Sequence, residues 1–138
     1  MKTFSLIVFV FVSMVSFAQV VQSEHDVFDD QGRLAVKIVY TYTDSGIVDT
    51  RSLQSFNKQG KLVRIETYTA DDDLLFVQKN KYDRKGRLVR SEQTNYSEDG
   101  SKTQDAFEYR YMPDGCRYTY LNKKLILDPY NITPSQIK

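Results

Sequence analysis

Every glycine in the chain stands four residues after an aromatic side chain. The six segments are FDDQG (Phe28–Gly32), YTDSG (Tyr42–Gly46), FNKQG (Phe56–Gly60), YDRKG (Tyr82–Gly86), YSEDG (Tyr96–Gly100) and YMPDG (Tyr111–Gly115). Successive glycines are 14, 14, 26, 14 and 15 residues apart, and the long interval holds a glycine-free version, YTADDD from Tyr68 to Asp73. Self-similarity at a fixed short period marks a repeat architecture, in which each unit is stabilised by its neighbours.

The turn chemistry says what the repeat is. Asp29, Thr43, Asn57, Asp83 and Ser97 directly follow their aromatics. Short polar side chains of this kind accept a hydrogen bond from a backbone N–H two residues on and favour the first position of a type I turn. A glycine in the left-handed conformation then closes the turn as a bulge and sends the strand back antiparallel. Pro113 falls at the second turn position, where its fixed φ suits type I. In the YTADDD segment either Asp72 or Asp73 takes positive φ in glycine's place, or the loop differs from the others. We therefore assign Gly32, Gly46, Gly60, Gly86, Gly100 and Gly115 as turn-defining.

Segments of about ten residues separate the turns, and several alternate apolar and polar side chains with period two. The predicted strands are 20–28, 33–42, 47–56, 61–69, 74–82, 87–96, 101–111 and 116–123, with 125–138 as an edge strand or tail. The predicted fold is all-β: an antiparallel meander of about eight strands with a period near 14 residues. An open or curled sheet fits the mixed apolar parity; an up-and-down barrel or sandwich is the alternative. A barrel needs one apolar face in every strand, and 87–96 offers little.

Residues 1–18, MKTFSLIVFVFVSMVSFA, read as a signal peptide. Lys2 supplies the positive start, Leu6–Val12 is an unbroken apolar run, and Ser16 and Ala18 fit the small-x-small cleavage pattern. The run is too short for a stable membrane span, which takes about 20 residues. The predicted product starts at Gln19, with a β-repeat domain over 19–124. Its location is periplasmic, cell-surface or extracellular. The whole chain carries 19 basic and 18 acidic residues, and loss of Lys2 leaves the two signs equal. Charges alternate without blocks, which excludes the basic footprint of a nucleic-acid binder.

Tyr82-Asp83-Arg84-Lys85-Gly86-Arg87-Leu88 resembles the YD repeat of bacterial RHS-type and wall-associated proteins, whose signature is Tyr-Asp-x-x-Gly-Arg-Leu. The copies at Phe28 and Phe56 match with Phe for Tyr, and Asn57 and Lys61 replace Asp and Arg in the second. The turns at Tyr42, Tyr96 and Tyr111 keep only the aromatic and the glycine. The resemblance implies β-hairpin repeats. In large RHS proteins these build a shell around a toxin domain, and this chain has too few repeats to enclose anything. Its layout also looks like that of small exported proteins of Bacteroidales.

Candidate chemical groups are few. One Cys and one His exclude a disulfide scaffold and a four-ligand zinc site without heavy carboxylate help. His25 sits among Glu24, Asp26, Asp29 and Asp30, in what reads as a solvated segment. Asp71–Asp73 lack the alternation and glycine of a calcium loop and read as an acidic turn. Cys116 reads as a half-buried thiol in a strand. Glu66 and Glu92 match in the repeat, as do Arg64 and Arg90, which predicts cross-strand ion pairs. We therefore expect no catalytic residue, no cofactor and no metal.

Tyr109, Tyr118 and Tyr120 form the densest aromatic group and are the candidate binding surface. The functional expectation is an exported, non-catalytic binding or interaction module of the cell envelope, contacting a protein or glycan. Open sheet edges add the option of a homodimer. A purely structural envelope component and a carboxylate-dependent hydrolase are the alternatives.

Overall fold

The structure is a computed structural model that describes residues 21–128. The signal-peptide reading of 1–18 and most of the tail reading of 125–138 lie outside that range.

The described residues form nine strands: β1 (Val21–Phe28), β2 (Leu34–Tyr42), β3 (Val48–Phe56), β4 (Leu62–Thr69), β5 (Leu74–Tyr82), β6 (Leu88–Tyr96), β7 (Lys102–Tyr111), β8 (Arg117–Leu121) and β9 (Lys124–Leu127). They hydrogen-bond in chain order, β1 to β9, as one antiparallel meander. The order starts at β1 and ends at β9, so the ladder is not closed into a barrel. The ninth strand arises because the eighth predicted segment, 116–123, stops at Leu121 and turns. Asn122 and Lys123 both take positive φ, at 48° and 71°, as a two-residue hairpin loop requires. The described residues divide into two compact units, with the boundary between Val77 and Gln78.

All six glycines have positive φ, between 73° and 89°. In the first hairpin the Gly32 N–H donates to the Asp29 carbonyl at 2.9 Å, and the Asp29 N–H donates to the Arg33 carbonyl at 2.8 Å. The same pair of bonds recurs at Thr43, Asn57, Asp83, Ser97 and Met112. At the glycine-free turn Asp72 takes the left-handed position with φ 67°. There the Asp72 N–H reaches the Thr69 carbonyl at 3.2 Å.

In the first unit, the pairings β1–β2, β2–β3 and β3–β4 each skip one residue. Val27 pairs with Val36 and Phe28 with Leu34, leaving Ala35 extra. Asp49 and Val63 are extra in the next two pairings. Each lies three residues past its turn glycine. An extra residue bends the strand and resets which face the side chains take. In β2 the bulge breaks the alternation just after Leu34, so Leu34 lies on the face opposite Val36, Ile38, Tyr40 and Tyr42.

Burial is shallow. Among the described residues the buried apolar side chains are Val39 and Val77, and none is fully enclosed. Cross-strand pairs carry the load instead. On one face of the first unit, Thr41 and Thr50 hydroxyls meet at 2.7 Å, Ser52 and Thr67 at 2.8 Å, and Lys37 bonds Glu24 at 2.9 Å. On the other, His25 stands edge-on to Tyr40, and the Tyr42 hydroxyl meets Ser23 at 2.8 Å.

Candidate functional site

The turns show why Asp and Arg occur together. Asp83 Oδ1 accepts from the backbone N–H groups of Lys85 and Arg87, both at 2.9 Å, while Oδ2 takes Arg87 Nε and Nη2 at 2.8 Å. Asp29 holds Gln31, Arg33 and the Arg33 guanidinium in the same way. Both carboxyls titrate below their usual range, first because of the backbone N–H of the following Arg. With Asn57 and Lys61 the two backbone bonds survive, at 3.0 and 2.9 Å. The later turns move the acceptor: Asp99 takes the Ser101 N–H and Asp114 takes the Cys116 N–H, each at 2.9 Å. The expected cap at Ser97 is thus supplied by Asp99. Hydrogen bonds from Ser101 lower its pKa.

In the second unit, arginines fixed at or near the turns lie over tyrosines. Arg87 sits 4.5 Å from the Tyr111 ring centre, and the Tyr111 hydroxyl donates to the Leu88 carbonyl at 2.9 Å. Tyr111 pairs directly with Arg117, which in turn stacks 4.7 Å over Tyr109. Arg87, Tyr111, Arg117 and Tyr109 therefore alternate cation and ring along one face.

The three candidate tyrosines divide between two faces. Tyr109 pairs with Thr119, whereas Arg110 pairs with Tyr118 and Glu108 with Tyr120. Adjacent residues on a strand point to opposite sides, so Tyr109 lies on the side away from Tyr118 and Tyr120. Those two share their face with Arg110, whose guanidinium lies 4.6 Å over the Tyr120 ring. A cation over an aromatic face gains electrostatic attraction from the ring quadrupole. Desolvation raises the Tyr118 pKa, with the Asp128 carboxylate adding to it. Arg110 and Arg117 make no ion pair with a described carboxylate, unlike Arg33, Arg51, Arg64, Arg87 and Arg90. Sequence reading missed both stacking arginines. Their signal lies in the register: once Tyr111 faces Arg117, the diagonal neighbours are Arg110 with Tyr120 and Arg117 with Tyr109.

The other candidates fall as follows. His25 belongs to β1 and stands edge-on to the Tyr40 ring. Asp71–Asp73 are exposed in their turn, with Asp72 bonded to Arg51 at 2.8 Å. Arg64–Glu66 and Arg90–Glu92 are pairs along one strand, at 2.6 and 2.7 Å. Arg90 also reaches across strands, to Glu108 at 2.7 Å. Cys116 is a free, half-buried thiol just ahead of β8. Among the described residues no cluster of three or more His, Cys, Asp or Glu is placed to hold a metal. No helix among them is long and apolar enough to cross a membrane.

Compared with known proteins, the chain matches no family model and no curated relative.

Proposed function

We propose that the chain is an exported cell-envelope protein that works by non-catalytic contact, with Tyr118, Tyr120 and Arg110 as its binding face and a protein or glycan as its ligand. The observation that carries this reading is the Arg110–Tyr120 stack beside Tyr118. Tyr and Arg combine contact area with hydrogen-bonding capacity, and they are enriched among the few residues that dominate the energetics of binding surfaces. A guanidinium laid over a ring and lacking a described carboxylate partner is preorganised for an incoming acidic group. That chemistry favours a ligand presenting carboxylates. Export rests on the leader of residues 1–18.

Capture from the native envelope tests this reading, with three single variants compared. Tyr120→Ala and Arg110→Ala act on the proposed face, and Tyr109→Ala acts on the other. A ligand held by the first face is lost at least tenfold in the first two variants and kept in the third. Retention in all three, or loss only with Tyr109→Ala, rejects the assignment.

A further inference from the structure

Exposed large apolar side chains are few, and they are not spread over the molecule. Among the described residues they are Val27 and Phe28, Leu125 and Ile126, and Ile47. Four of these five lie on the two edge strands, β1 and β9. An edge strand presents unpaired backbone N–H and C=O groups, and apolar side chains beside them favour strand addition.

The charges on the two edges are opposite. In β1, Glu24 and Asp26 both draw on Lys37, at 2.9 and 3.8 Å, so two carboxylates share one cation. In β9 and the turn leading into it, Lys123 and Lys124 are exposed and pair with no described carboxylate. Both edges also carry the devices that blunt indiscriminate pairing. β1 has its acids, and β9 is four residues long with Ile126 extra in its pairing. Like edges repel, so these features leave the unlike pair as the favourable contact.

We infer that β9 of one copy adds to β1 of a second copy, so that the chain associates head to tail through its sheet edges. This rests on the contact reading above and names one partner, the chain itself. Four residues of β9 against β1 form a small junction, below the roughly 1,200 Å² of standard interfaces. The association is therefore weak and salt-sensitive.

Single-cysteine cross-linking of the processed chain, recovered from an exporting host, tests this. In a Cys116→Ser background, Val27→Cys marks β1 and Leu125→Cys marks β9. Under oxidation the mixture of the two variants yields covalent dimer, and each variant alone stays at least tenfold lower. A charge exchange gives a second, independent readout by sedimentation. Lys123→Glu/Lys124→Glu and Glu24→Lys/Asp26→Lys each shift toward monomer, and mixing them restores the larger species. Circular dichroism checks that all variants are folded. Dimer from either cysteine variant alone, or monomer throughout with no cross-link, overturns the inference. A monomer that still captures an envelope ligand through Tyr120 sinks self-association while leaving the contact reading in place.

Discussion

Substituting Gly60 isolates the energy of one turn. Its φ is +73°, and a Cβ built there meets no atom within 4 Å. Steric contact contributes nothing, so the cost of a side chain is the left-handed backbone alone. That cost is about 1–2 kcal/mol for alanine. Stiffening the unfolded chain returns about 0.4–1 kcal/mol of it. The net expectation for Gly60→Ala is a loss near 1 kcal/mol, or roughly 4 °C in Tm for a domain of this size. Gly60→Asn costs less, because asparagine tolerates this region, and Gly60→Val costs more, because a β-branched residue is an outlier there. Urea unfolding followed by far-UV circular dichroism measures the order. The midpoint falls from Gly to Asn to Ala to Val with an unchanged slope, as for a pure change in stability. Alanine at or above wild-type stability, or valine no worse than alanine, refutes the claim that this turn is set by positive φ.

Two further predictions follow from the turns. Asp72 is a natural side chain in the glycine slot, so Asp72→Gly should be more stable than Asp72→Ala by about 1 kcal/mol; both lose the Arg51 ion pair, and equal urea midpoints would contradict this. The Asp83 carboxyl is depressed in the folded state from 3.8, led by the Arg87 N–H. A depressed acid stabilises above its unfolded pKa and stops doing so as pH falls through its folded value, so stability should decline below about pH 4. Asp83→Asn keeps a side-chain oxygen for the two backbone donors but does not titrate, so its urea midpoint should fall less across that acid range. An identical acid decline in the variant would show that Asp83 does not contribute to it.

Turn positions were legible because their causes are local. An aromatic, a short polar acceptor and a glycine lie within five residues, and the φ sign each glycine takes follows from its missing Cβ. Strand faces were legible only where the register runs straight. Ala35, Asp49 and Val63 look like ordinary strand residues, yet each is skipped by its partner strand. Parity counted outward from the turn is therefore reversed beyond them. The same limit governs the binding surface. Tyr109, Tyr118 and Tyr120 are close in sequence, but β7 and β8 pair so that residue numbers across each rung sum to a constant. Tyr118 then stands opposite Arg110 and not opposite a tyrosine. Density of one residue type along a chain does not decide a surface; the pairing sum does. Here it converts one apparent aromatic cluster into two Arg–Tyr stacks on opposite sides, each with a cation that the aromatic count could not reveal.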